Sequence, residues 1–147
     1  MTSGLTGGSK SELVTISSLR ATTLIAMAPI TGGSPPYTSV VIKQLNEKAF
    51  AHRVAFVVDP SVVCDHTLRG YLITQRTSTG VQLFYTWDLL DKSGNRVSRL
   101  AGQTLSVPLV SDDWSSINAA DTAEMVEKTL ASVALQTLAA PPTSARQ

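Results

Sequence analysis

The chain of 147 residues has one cysteine, Cys64, and two histidines, His52 and His66. A single thiol closes no intramolecular disulfide. With so few nitrogen and sulfur donors, none at ligand spacing, the sequence contains no recognisable metal site. No cofactor fingerprint is present either: Gly32-Gly33-Ser34 faintly resembles a phosphate-cradling turn, but it lacks the lysine and the longer glycine spacing of a P-loop or a dinucleotide fold. Charge of one sign is also missing. Twelve basic and eleven acidic residues leave a formal charge of +1, so the basic excess of a nucleic-acid-binding domain is absent, as is a polybasic membrane patch. The longest apolar runs, about Leu24–Ile30 and Val54–Val58, fall far short of the roughly 20 residues of a membrane-crossing helix. No basic stretch followed by an apolar one opens the sequence, so no signal peptide is expected in it as it stands.

What is there is enough for one core. Apolar residues make up 43% and charged residues 16% of the chain, a balance that suits one folded domain of this length. Residues 1–20 are rich in Gly, Ser and Thr and read as a flexible arm. Residues 139–147, with two prolines, read as a flexible tail, which leaves a single domain over 21–138.

Within that domain, Thr22–Ala28 is apolar on both faces, as in a buried strand. Ser34 followed by Pro35 marks a helix start, and Val41, Leu45 and Ala49 recur at helical spacing, predicting a helix over Pro36–His52. Val54–Val58 is a second short strand. His66–Arg76, Val81–Leu90 and Arg96–Thr104 alternate as three antiparallel strands joined by turns at Thr77–Gly80 and Asp91–Asn95. Alternation directs Val81, Leu83, Tyr85, Trp87 and Leu89 toward the helices, and Gln82, Phe84, Thr86, Asp88 and Leu90 away from them. By the same count Arg96 and Arg99 fall on opposite faces. Asn118 with Asp121 resembles a capping box, with Asp in place of Glu or Gln. Ala123, Val126, Leu130, Val133 and Leu138 then form the stripe of a closing helix. The order β-α-β-β-β-β-α predicts an α+β two-layer sandwich: a mainly antiparallel sheet of about five strands with both helices on one face.

Three constellations invite a chemical reading. Cys64 and His66 share one side of a strand and invite a reading as a thiol–imidazole nucleophile. Sequence adjacency seldom builds a catalytic pair, so the simpler reading is a small thiol and an imidazole at a strand entry. Asp112-Asp113-Trp114 is an acidic approach to the last helix, pinned by its indole. The ribbon Phe84–Gly102 is the third, where Phe84, Arg96 and Arg99 are the residue types that anchor protein interfaces. Phe84, Arg96, Arg99, Asp112 and Trp114 are therefore the candidate partner-binding residues, with no catalytic, cofactor or metal residue assigned.

The ribbon also carries a resemblance. Gly70-Tyr71, Tyr85–Asp88, Gly94-Asn95-Arg96, Arg99–Gly102 and Asp112–Trp114 resemble the recurring elements of a group of small alphaproteobacterial envelope lipoproteins. The resemblance runs over about residues 22–138. More distantly, the element order is similar to the α+β domains of outer-membrane lipoproteins that activate penicillin-binding proteins or assemble secretion pores. The resemblance implies a non-catalytic domain facing the periplasm that binds a protein or another envelope component. It also implies a lipid on a cysteine where Met1 stands, with residues 2–20 as the tether. Two alternatives remain open at this point: a small enzyme using Cys64 and His66, and a carrier of a small apolar ligand held between helices and sheet. An open sheet edge would also allow a homodimer.

Overall fold

A computed structural model describes residues 22–145, with side chains over 22–137; the expected arm over 1–20 lies outside the described residues. Five strands form one sheet: β1 (Thr23–Met27), β2 (Val54–Val57), β3 (His66–Arg76), β4 (Val81–Asp91) and β5 (Arg96–Ser106). They lie in the order β2-β1-β3-β4-β5. Two helices, α1 (Pro35–Ala49) and α2 (Ala119–Ala145), complete the α+β sandwich. The long pairings β3–β4 and β4–β5 are antiparallel. The two short pairings of β1, with β2 and with β3, are parallel. The mixture follows from connection length, because the β1–β2 link contains a helix whereas tight turns join β3, β4 and β5.

The turn before α1 explains its glycines. Gly32 has φ +83° and approaches the Leu72 carbonyl so closely that a Cβ there would overlap it. This delivers Ser34 as an N-cap whose Oγ accepts the Tyr37 N–H at 3.3 Å, with prolines in the first turn. Tyr37, Val41, Leu45 and Ala49, four residues apart, are the buried face of α1. The helix tightens into a 3-10 turn over Phe50–His52, and Arg53 closes it in the left-handed region at φ 60°.

The core lies between the helices and one face of the sheet. Ile25, Leu68, Leu83, Trp87 and Leu89 meet Val41 and Leu45 of α1 and Met125, Val126 and Leu130 of α2. Two cross-strand pairings make room for the large rings of β4. Gly70 stands opposite Trp87, and Gly102 stands opposite Tyr85. At either glycine a Cβ would fall into the facing ring, so the glycines of the Gly-Tyr and Arg-x-x-Gly elements are packing residues.

The other face of the sheet carries no helix among the described residues. β1 was expected to be buried on both faces, but Ile25 is fully buried while Leu24 on the opposite face is 44% exposed. An apolar run therefore did not indicate a two-sided burial, because both helices pack on a single side.

The start of α2 differs in detail from a capping box. Asn118 precedes the first helical residue, and Asp121 is the third residue of the helix. The Asn118 N–H donates to Ser106 Oγ at 2.9 Å, and Ser106 Oγ donates to Asp121 Oδ2 at 2.5 Å. An aspartate is one methylene shorter than glutamate, and the β5 hydroxyl fills the gap, tying the helix to the sheet. The helix continues to Ala145, beyond the expected end at Leu138. Ala139 and Ala140 favour helix strongly and carry it onto the proline pair expected to stop it.

Candidate functional site

The five residues singled out in the sequence are divided between two sides of the molecule. Asp112 and Trp114 lie on the helix side, and Phe84, Arg96 and Arg99 on the open face of the sheet.

On the helix side, the first turns of α1 and the segment before α2 enclose a groove of about 510 Å³. Tyr37, Val40, Gln44, Trp114, Ile117 and Thr122 are among its walls. Its aromatic wall is the pair Tyr37 and Trp114, with ring centroids 5.4 Å apart and planes tilted by 37°. The Tyr37 hydroxyl shares a 2.8 Å hydrogen bond with Thr122 Oγ1. Burial pushes the Tyr37 phenol above its ordinary value; the bond to Thr122 opposes that shift and the nearby Asp121 charge adds to it.

The segment bearing Trp114 is held at several points. Asp112 accepts from the Ser115 N–H and hydroxyl at 2.9 and 2.8 Å, and these bonds keep its carboxyl below the usual range. Asp113 faces the other way, accepting from Thr74 at 3.0 Å and pairing with Arg76 at 2.6 Å. Adjacent aspartates thus do separate work: one closes a turn and the other moors the turn to β3. Gln44 is one of the residues lining the groove, and its side-chain oxygen is buried with no hydrogen-bond partner among the described residues. The groove therefore offers aromatic and aliphatic walls.

On the open sheet face, Asp88 of β4 lies between two cross-strand neighbours, Arg69 of β3 and Arg99 of β5. Arg99 grips the carboxylate bidentately, Nε to Oδ1 at 2.7 Å and Nη2 to Oδ2 at 2.9 Å. Asp88 is 5% exposed. The hydrogen bonds from Arg99 hold its pKa below the ordinary carboxylate value against the opposing effect of burial, helped by the charges of Arg99, Arg96 and Arg69.

The expectation that Arg96 and Arg99 fall on opposite faces is corrected here. The β4–β5 register shifts between Leu89 and Leu90, so Arg96 pairs with Leu90 while Arg99 pairs with Asp88. The extra residue of the bulge reverses the alternation and brings both arginines to the open face. Phe84 is on that face too, beside Tyr71, Ile73 and Thr86 in a shallow depression of about 390 Å³.

Cys64 and His66 border another depression, with Thr22, Thr23 and Leu24. The Cys64 thiol is directed at the Val62 carbonyl, 4.0 Å away. His66 Nδ1 is buried without a partner, and no hydrogen bond among the described residues joins the two side chains. His52, in the 3-10 turn that ends α1, reaches Glu127 of α2 at 2.9 Å. No group of three metal-ligating side chains occurs among the described residues, and no described helix is long and apolar enough to cross a membrane.

With this geometry in view, comparison with known proteins is informative about fold. The sequence matches no protein-family model and no curated protein. Among solved structures, PelC from Paraburkholderia phytofirmans, a dodecamer, superimposes with a TM-score of 0.53 at 17% identity. That match covers 80% of this chain and 89% of PelC, and shows a shared fold. TolB from Acinetobacter baumannii matches at 12% identity and a TM-score of 0.45, over 79% of this chain and 29% of TolB. The lipoprotein GNA1162 from Neisseria meningitidis gives 10% identity and a TM-score of 0.45, over 76% of this chain and 96% of GNA1162.

Sequence reasoning found Trp114 but missed Tyr37 and Gln44. Tyr37 opens the α1 stripe as Val41 and Leu45 continue it, and nothing local separates a groove residue from a core residue. The signal available was the Ser34-Pro35 helix start, which places Tyr37 in the first turn, where a helix face is least covered.

Proposed function

We propose that this chain is a non-catalytic domain of the cell envelope, tethered by an N-terminal lipid, that binds a protein through the groove between α1 and the Trp114 segment. The groove carries the reading: its apolar walls and the Tyr37–Trp114 pair suit a peptide segment with an apolar side chain. Such a segment supplies an apolar side chain for the aromatic wall. The envelope setting rests on the resemblance of the ribbon and the Asp-x-Trp segment to envelope lipoproteins. Since PelC is a dodecamer, another copy of this chain is a natural source of the segment, alongside a different envelope protein.

The test is site-specific photo-crosslinking in the native host. Val40 lines the groove and is 45% exposed, so a photoreactive residue there is accessible. Gln103, on the opposite face of the sheet, is the control. The expected result is a peptide adduct from Val40, absent from Gln103 and lost with Trp114→Ala, whose mass identifies a second copy or another protein. An adduct to a small apolar molecule would replace this reading with that of a ligand carrier. Adducts of equal yield from both positions would remove the groove from consideration. The mass of the mature N-terminal peptide tests the tether separately: a lipid-modified cysteine ahead of Thr2 is expected, and an unmodified chain in the cytoplasmic fraction would overturn it.

A further inference from the structure

We infer that Arg69, Arg96 and Arg99, gathered around Asp88 on the open sheet face, form a binding site for a phosphate monoester with an apolar body. The first observation is how cations are distributed. All four lysines among the described residues are paired with carboxylates: Lys43 with Glu47, Lys48 with Glu127, Lys92 with Asp65 and Lys128 with Glu124. Arg76 and Arg99 are paired likewise. Arg53, Arg69 and Arg96 alone among the described lysines and arginines have no carboxylate within 4 Å, and two of these three act on the same carboxylate, Asp88.

Charge and geometry then select the ligand. Three guanidinium groups and one carboxylate leave a local charge of +2, which a phosphate monoester, carrying about −1.5 to −2 at neutral pH, neutralises and a single carboxylate does not. Guanidinium forks match the oxygens of phosphate. Asp88 has a positioning role: it fixes the Arg99 fork on the sheet, so that less order is lost when a ligand arrives. Arg69 Nη1 donates to the Tyr71 hydroxyl at 3.2 Å, and Tyr71 in turn lines the depression shared with Ile73, Phe84 and Thr86. Ile73 there is 64% exposed, an apolar surface on which the body of the ligand would lie. This site is on the opposite side of the sheet from the helix-side groove and does not depend on it.

The probe is phenyl phosphate, titrated into the full chain while NMR follows the arginine Nε–H signals and the Tyr71 and Phe84 ring signals. Saturable shifts at these residues are expected, with benzoate binding at least about fivefold more weakly. The double variant Arg69→Gln, Arg96→Gln removes the half-buried Arg69 charge, with its hydrogen bond to Tyr71, and the exposed Arg96 charge, leaves the Arg99–Asp88 pair in place, and should weaken phenyl phosphate about tenfold. A second arm uses vesicles of phosphatidic acid or of phosphatidylcholine. Sedimentation with phosphatidic acid alone, lost in the double variant, identifies a lipid headgroup as the source. Phenyl phosphate binding without vesicle binding identifies a soluble phosphate ester. Absence of saturable shifts, equal binding of benzoate, or binding unchanged by the double variant would overturn the site.

Discussion

Substitution of Gly70 by alanine tests whether the resemblance motifs encode packing. Within a strand the change should by itself stabilise, because glycine gives up more backbone freedom and costs about 0.5–1 kcal/mol relative to alanine. The structure predicts the opposite sign. A Cβ at position 70 would stand 2.7 Å from Cε3 and Cη2 of Trp87, and nearer still to Cζ3, where carbon atoms normally keep about 3.5–4.0 Å apart. The indole is 2% exposed and must move by about 1 Å into a closely packed core. Overpacking of this kind costs about 1–3 kcal/mol, and so large an overlap points to the upper end. At about 4 °C per kcal/mol for a domain of this size, thermal unfolding followed by circular dichroism should show Tm fall by about 10 °C. The same substitution made in a Trp87→Leu background should cost at least about 1 kcal/mol less, a coupling readable from the double-mutant cycle. A Gly70→Ala protein as stable as wild type, or costs that simply add, would refute the packing account.

Asp88→Asn should cost about 2 kcal/mol at pH 7, because a buried carboxylate held by two guanidinium bonds is replaced by a neutral amide. The Asp88 pKa is lowered in the folded state, so its contribution is complete above the unfolded value near 3.9 and is lost as pH falls through the folded one. Denaturant midpoints of wild type and variant should converge in acid. Ser106→Ala removes the hydroxyl joining the Asn118 N–H to the Asp121 carboxylate, and should cost about 1–2 kcal/mol by chemical denaturation. A cost below about 0.3 kcal/mol would mean that α2 is capped without the sheet. Burial raises the phenol pKa values of Tyr37 and Tyr85, so stability should hold up to about pH 10 and fall beyond it, as unfolded-state phenols ionise first. Absorbance at alkaline pH should show these two phenols ionising above the ordinary value, and Phe substitutions assign them.

Most of the fold was legible because its signals are local. Ser34-Pro35 and the four-residue spacing Val41, Leu45, Ala49 gave α1. Strict alternation from Val81 to Leu90 gave β4 and its two faces, and Asp91 to Asn95 marked the last turn, where Asp91 Oδ1 accepts the N–H groups of Ser93 and Asn95. The site was less legible. Alternation counts residues, and one bulge at Leu89 and Leu90 reverses the count for everything before it on β5, which is how Arg96 was assigned to the wrong face.

The sequence by itself determined the number and order of the elements, the buried stripe of β4, the candidate role of Trp114 and the near-neutral total charge. These depend on the spacing of side chains along one element, and the spacing is written in the chain. Tertiary structure decided which strands are parallel, that Tyr37 meets Trp114, and that three arginines converge on Asp88. Each of those depends on residues far apart in the chain whose meeting is set by register and connection. That is also why a neutral total charge hides a local charge of +2: each described lysine has a carboxylate within 4 Å, on its own helix or brought by the fold, and Arg69 and Arg96 beside Asp88 have none.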